Sequence, residues 1–384
     1  MINRDRLAEI FKCLVEIDSV SRAESAVCSE IRQRLELLGA KTFIDNSASQ
    51  TGSDTGNLIA FFEGCNSTAA PLMLNAHMDT VEPGNGIKAV LKDGVFTSAG
   101  DTILGADDKS AIAILLETMN VLKENRINHA PLELVFTTCE EVGLLGALHL
   151  DLDRIQATMG YALDASDING IITRAPSACW FDFKIHGKSA HAGAAPEKGI
   201  NAIAIASKAI ASLEIGRIDQ ETTTNIGVIK GGLAANIVPD MVTVTGEVRS
   251  HDNLKLRQNA DSMVQAFKDA VETSKKTGTD SEFPYLTVDI LNEFPGTKIP
   301  DNHPIVMLAI DAAKNLGRSL KIKSSGGCAD ANVLFQKGLA MGVLGTGMRK
   351  VHTVRETVGL DDMIAGCQLM IEIIQVHSKT MRSE

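Results

Sequence analysis

The chain has 384 residues, enough for two or three domains with a sizeable core, and its 44% hydrophobic and 22% charged residues match an ordinary soluble globular protein. Its net charge of −11, from 37 basic and 48 acidic residues, disfavours nucleic acid or an anionic membrane as the main partner. Seven scattered cysteines without a C-x-x-C pair argue against a disulfide framework or a thiolate zinc site, and for a reducing cytoplasm.

The charged start, Met1 to Arg6, runs into a helical pattern, so no signal peptide is expected. The longest apolar run, 111–116, is too short to cross a bilayer. Residues 6–18 and 24–38 carry apolar positions at helical spacing, and Gly39 suits the C-cap of the second helix. Residues 57–62 and 72–76 read as strands, with a turn or loop at 63–70 between them. The stretch 80–106 is rich in Gly and Asp and predicts a hairpin around Lys92-Asp93-Gly94. A strong helix is predicted over 109–123, with Ile112, Leu115, Leu116, Met119 and Leu122 on one side. Apolar strands follow at 132–138 and 161–163, with a helix or loop at 143–154 between them. Apolar strands alternating with helices predict an α/β domain with a mainly parallel sheet covered on both faces.

The pattern changes near Pro176. Residues 177–187 alternate, with Trp180, Phe183 and Ile185 among polar neighbours. A helix at 199–213, strands at 223–230 and 237–249, a helix at 254–275 and a strand at 285–291 complete a β-α-β-β-α-β order. That is the signature of a ferredoxin-like domain. Helix 304–316, strand 320–323, helix 330–336, strand 341–344 and helix 361–377 then resume the βα pattern. The expected organisation is a discontinuous domain of 1–176 and 292–384, interrupted by an inserted α+β domain at 177–291.

The acidic residues and histidines fall at strand ends. His77 ends one strand, with Asp79 two residues on. Glu140 and Glu141 follow the strand at 132–138, Asp164 follows 161–163, and His352 lies just beyond 341–344. Open α/β sheets bind ligands at the carboxyl ends of their strands. Asp107, in Gly105-Ala-Asp-Asp-Lys109, feeds a helix. Two histidines and three carboxylates without a thiolate suit zinc, with cobalt or manganese as alternatives, in a hydrolytic site. With Asp107 as a bridging carboxylate, two ions about 3.5–4 Å apart can share a hydroxide and polarise a carbonyl. Glu140, beside Glu141, is then available to take the proton from that water. The bland readings are a satisfied His-Asp pair, a solvated Glu-Glu helix end, helix caps at Asp107-Asp108, and packing for Cys139. No G-x-S-x-G elbow or H-E-x-x-H motif is present, and Gly187-Lys-Ser189 lacks the first glycine of a phosphate loop.

Taken together, His77-Met-Asp79-Thr80, Gly105-Ala-Asp-Asp-Lys109, Cys139-Glu-Glu141 and Asp164 resemble the dinuclear zinc metallopeptidase family of peptidase T, glutamate carboxypeptidase and succinyl-diaminopimelate desuccinylase. The resemblance continues through Gly187-Lys-Ser-Ala-His-Ala-Gly193, Asn236-Ile-Val-Pro239, Gly326-Gly-Cys-Ala-Asp330 and the run from Gly345 to His352. It covers nearly the whole chain and is closest to the peptidase T-like tripeptidases. Cys328-Ala329 departs from the small polar residues expected in the glycine-rich loop. The resemblance implies a zinc-exopeptidase-like catalytic domain with an inserted lid or dimerisation domain. His77, Asp107 and Asp164 would hold one ion, and Asp107, Glu141 and His352 the other. Asp79 would orient His77 through its carboxylate. Glu140 would act as general base and then as acid toward the leaving amine. His191 would donate to the oxyanion, in some relatives from a neighbouring subunit. Asn236 and Arg249 would contact the substrate, with the forked donors of Arg249 suited to a terminal carboxylate. A cis peptide between Asp107 and Asp108 is also implied.

The function expected is that of a cytoplasmic two-metal exopeptidase acting on short peptides, a tripeptide aminopeptidase, as a homodimer through the inserted domain. A carboxypeptidase or N-acyl amino acid amidohydrolase is the alternative within the family. A metal-binding protein without turnover is the alternative of another class. Against the last stand Glu140 and His191, which metal binding alone does not need.

Overall fold

A computed structural model describes residues 1–65, 67–275 and 282–380, with the side chains of 291–293 left aside. Two compact units divide the chain. One comprises Met1–Arg174, Thr297–Ser325 and Ala329–Glu384, and the other Ala175–Gly296 with Gly326–Cys328.

In the first unit the strand Leu72–His77 is buried at all six positions. It runs parallel to Leu132–Thr137 on one side and to Met159–Ala165 on the other. Both faces are covered, which is why these segments are apolar throughout and do not alternate. Ala340–Gly345 adds a further parallel strand beyond Met159–Ala165. Antiparallel strands extend the sheet. Leu58–Phe62 and Lys41–Ile44 lie at one edge, and Gly170–Ala175 pairs with Ala340–Gly345 on the other side. The parallel centre agrees with the sequence pattern. The strands Lys41–Ile44 and Gly170–Ala175 escape that pattern, because they are specified by pairing with other segments more than by hydrophobic period.

The helix Ala106–Glu124 packs on Leu72–His77 and against the helices Arg4–Val15, Ser25–Leu38 and Leu360–Ser378. It is therefore buried on more than the one side that its apolar spacing suggests: Ala111, Ala113 and Ile114 have no exposure, like Ile112 and Leu115. Even its charged Glu117 is fully buried, where it accepts from Arg6 Nε at 2.6 Å and Arg6 Nη2 at 2.9 Å. The expected hairpin forms from Ala89–Lys92 and Val95–Ser98. It belongs to a second, small sheet with Thr357–Gly359 and Met348–Arg349, in which the chain after His352 pairs with the segment leading into Asp107 and the chain before His352 pairs back on it. No helix among the described residues is long and apolar enough to cross a membrane.

The second unit holds an antiparallel sheet in the order Gly216–Arg217, Thr222–Gly231, Met241–Ser250, Ser177–His186, Tyr285–Phe294. Its helices Ala202–Ser212 and Asn253–Glu272 pack together on the sheet. This is the ferredoxin-like order that the element sequence predicts. The third strand begins at Met241 and not at 237: Pro239 lacks the N–H that a sheet interior needs. The core rests on stacked aromatics, with Phe183 and Phe267 centroids 4.0 Å apart and both rings buried. Phe267→Ala should destabilise the protein by about 3–5 kcal/mol. Urea denaturation followed by circular dichroism checks this, and a loss below about 1 kcal/mol would mean that the site collapses without a cavity.

Candidate metal centre

Three of the expected donors sit at or just beyond the ends of buried parallel strands. His77 is the last residue of Leu72–His77, and Asp164 lies at the end of Met159–Ala165. Glu140 and Glu141 follow Leu132–Thr137 through a turn in which Cys139 takes the left-handed conformation, φ 53°. Asp107 enters from Gly105, whose φ of 72° and whose Cβ position, 3.3 Å from Thr80, favour glycine. The Asp107–Asp108 peptide is cis, as the resemblance implies. His352 stands in the loop between Met348–Arg349 and Thr357–Gly359, with φ 60°.

These side chains converge. The two oxygens of Asp107 divide between two imidazoles: Oδ1 lies 3.2 Å from His77 Nε2, and Oδ2 lies 3.2 Å from His352 Nε2. His352 Nε2 is also 3.0 Å from Glu141 Oε1. Donor atoms of three sets, His77/Asp107/Asp164, His77/Glu140/Glu141 and Asp107/Glu141/His352, lie within 4.8 Å of one another.

The electrostatics follow from crowding. Burial, with the like charges of Asp107, Glu141 and Asp330, drives Asp164 well above the usual carboxylate range. Burial likewise raises Glu140, aided by Asp164, Asp330 and Glu141 and opposed by His77. Hydrogen bonds to Asp107 and Glu141 raise His352 to about 10. Burial pulls His77 down, but Asp107 and Asp79 hold it well above its ordinary value. Four carboxylates around two imidazoles carry more negative charge than the imidazoles can neutralise, and buried like charges stay ionised together only when cations join them. An all-oxygen and imidazole donor set of this kind fits divalent metal ions.

Asp79 supports this cluster through both its main chain and its carboxylate. His77 Nδ1 is 2.9 Å from the Asp79 main-chain carbonyl, whereas the Asp79 carboxylate stands 3.5 Å away. The carboxylate also grips the opposite loop. Its Oδ1 accepts from the Glu140 amide at 2.9 Å, and its Oδ2 accepts from Ser21 Oγ at 2.6 Å and the Glu141 amide at 3.2 Å. The turn carrying both glutamates therefore hangs on Asp79. Further buried residues were not legible in the sequence. Glu24 accepts from the Cys139 amide at 3.0 Å and from Ser53 Oγ at 2.5 Å. Asp108 Oδ2 accepts from the His77 amide at 3.2 Å. Lys109 is fully buried, amid the charges of Asp79, Glu356 and Asp18.

In the second unit, His191 and Asn236 are brought together and both are exposed. Ala192 N donates to Asn236 O at 2.9 Å, and His191 bridges to Ile237. His191 Nδ1 accepts from the Gly193 and Ala194 amides at 3.2 and 3.1 Å. Arg249 stands apart from them on Met241–Ser250, with Nε and Nη2 3.1 and 3.0 Å from Glu247 and Nη1 3.4 Å from the Gly326 carbonyl.

Two family models match the chain: Peptidase family M28 over residues 57–169, and Peptidase dimerisation domain over 173–278. An aminopeptidase PepT from Bacillus cereus is 39% identical over 98% of this chain and 100% of its own, with a TM-score of 0.87. A tripeptidase from Staphylococcus aureus is 36% identical over 99% of this chain and 100% of its own, with a TM-score of 0.90. This chain belongs to the peptidase T-like metallopeptidase family. The uncharacterized protein YqjE of Bacillus subtilis is 39% identical over 99% of this chain and 100% of its own.

In this family member, Asp79→Asn would turn a donor toward one of the two amides and leave it without an acceptor. That should cost about 1–3 kcal/mol of stability, measured by urea denaturation of the metal-stripped protein. Unchanged stability would show that the Glu140–Glu141 turn does not depend on this carboxylate.

Proposed function

We propose that this chain is a metal-dependent tripeptide aminopeptidase that releases the N-terminal residue of short peptides. The observation that carries the reading is Asp107, whose two oxygens face two imidazoles in a cluster that also includes Glu140 and Glu141. The aminopeptidase and tripeptidase similar to it over nearly their whole length support the substrate class.

His77, Asp107 and Asp164 would hold one ion and Asp107, Glu141 and His352 the other, with zinc first and cobalt or manganese as alternatives. Such ions supply a Lewis acid for the scissile carbonyl. Glu140 belongs to neither set. It takes a proton from the attacking water and returns it to the leaving amine, with its main chain held in place by Asp79. In the second unit the Gly193 and Ala194 amides occupy His191 Nδ1, so the ring proton sits on Nε2. That N–H is the donor for developing negative charge on the carbonyl oxygen. Asn236 and Arg249 contact the peptide, Arg249 through the donors that Glu247 leaves unused. The second unit serves as lid and dimerisation surface, and its match to the peptidase dimerisation model supports the dimerisation role. A cytoplasmic setting accords with cysteines that form no disulfide among the described residues.

Glu140→Gln should retain metal and lose about 10²–10⁴ in turnover, whereas Glu141→Gln should weaken metal binding. Metal analysis beside kcat separates the two, and swapped phenotypes would swap the roles. Mass spectrometry of products from a di- and tripeptide library should show loss of N-terminal residues from tripeptides. Release of C-terminal residues, or cleavage of N-acyl amino acids alone, would favour the carboxypeptidase or amidohydrolase alternative. His191→Ala should keep both metals while kcat falls about 10²–10³ and KM changes little. Near-normal kcat under chemistry-limited conditions would assign His191 a local structural role.

A further inference from the structure

Glu356 is 1% exposed and accepts three main-chain hydrogen bonds from one loop. Its Oε2 takes the Leu104 amide at 2.9 Å and the Gly105 amide at 2.7 Å, and its Oε1 takes the Asp107 amide at 2.9 Å. The acceptor lies 249 residues from Asp107 in sequence but four residues after His352. Its own amide donates to Thr353 O at 3.0 Å, which closes the His352 turn on itself. The turn leads directly into Thr357–Gly359, which pairs with Val95–Ser98. One side chain thus ties the segment that carries His352 to the amide of the residue whose carboxylate faces both imidazoles. The charge of Glu356 is felt by buried Lys109.

We propose that Glu356 is a positioning residue that fixes the spacing of Asp107 and His352, and through it the affinity of the Asp107/Glu141/His352 set for its metal ion. It touches no substrate and donates no ligand atom. Its effect is selective because two of the three donors of that set hang on the Glu356 clamp, against one of three in His77/Asp107/Asp164. A carboxylate is required, since all three partners are N–H donors. An amide at this position offers one oxygen, and the arrangement that keeps most bonds serves Leu104 and Gly105 and turns its NH₂ toward the Asp107 amide. The inference rests on the metal reading of the cluster.

The test is a cobalt and zinc titration of metal-stripped wild type, Glu356→Gln and His352→Ala, followed by calorimetry and by cobalt absorption. Glu356→Gln should weaken by about 10–100-fold the same binding step that His352→Ala removes, and leave the other step within a few-fold. Far-UV circular dichroism reports folding of the stripped protein. Should Glu356→Gln not fold, Glu356→Asp decides, since it keeps the charge beside Lys109 but is one methylene too short to reach all three amides. The same step should weaken there. A folded variant that melts earlier yet binds both ions as tightly as wild type would overturn the inference and leave Glu356 a structural cap. A wild type that takes up no second ion would overturn the metal reading, and the inference with it.

Discussion

The structure depends on holding like charges together where a protein normally keeps them apart. Asp107, Glu140, Glu141 and Asp164 converge on two imidazoles at the end of a buried sheet. Glu140 and Asp164, both raised by burial, would gain by moving into water, since burial of a carboxylate without a partner cation is among the largest penalties in folding. What prevents their separation is the rigidity of the elements that carry them. Leu72–His77, buried on both faces, cannot shift without moving Leu132–Thr137 and Met159–Ala165. The cost of the cluster is thus met by a sheet whose apolar contacts are unrelated to the site. Binding of cations would return part of that cost as stability of the native state.

A second tier of buried carboxylates serves the first in another way. Asp79, Glu24 and Glu356 each accept main-chain amides of the loops that carry the candidate donors. An ionised carboxylate meets several N–H donors well, because charge-assisted hydrogen bonds are shorter and stronger than neutral ones. The loops themselves lack regular structure and would otherwise leave buried amides unpaired. The two kinds of acid in the site differ in what surrounds them: one kind faces other acids, the other faces amides.

This difference explains what was legible in the sequence. His77, Asp107, Glu140, Glu141, Asp164 and His352 could be picked out because a polar residue directly after an apolar strand is conspicuous, and the motifs stand in a known order. Glu356 and Glu24 offer no such signal. Their partners are main-chain amides, which every residue has, and these lie 249 and 115 residues away. Asp79 was legible as a neighbour of His77 but not as the cap of the Glu140–Glu141 turn, because local spacing suggests local contact. The same holds for the fold. Strands buried on both faces and the two long helices of the second unit follow from hydrophobic period. Lys41–Ile44, Gly170–Ala175 and the strands on either side of His352 do not, since pairing with other segments makes them strands.

The small sheet has a consequence for how the site is assembled. The chain that delivers His352 would be an unanchored loop if it were held only by its own turn, in which His352 and Lys350 both take left-handed conformations. Gly347, just before it, has φ 92° and a Cβ position 2.2 Å from Asp362, so no larger residue fits that approach. Pairing of Thr357–Gly359 with Val95–Ser98 fixes one end, and Met348–Arg349 pairs back on Thr357–Gly359. Val95–Ser98 in turn leads into Gly105 and Asp107. The last donor in the sequence is therefore registered against one of the first by backbone hydrogen bonds, through a sheet that also buries Phe96, Met348 and Val358 in the main core. A strand pairing sets distance in steps of a residue, and side-chain contacts such as those of Glu356 set the remainder. Precision at the site thus comes from two independent constraints on the same loop, one coarse and one fine.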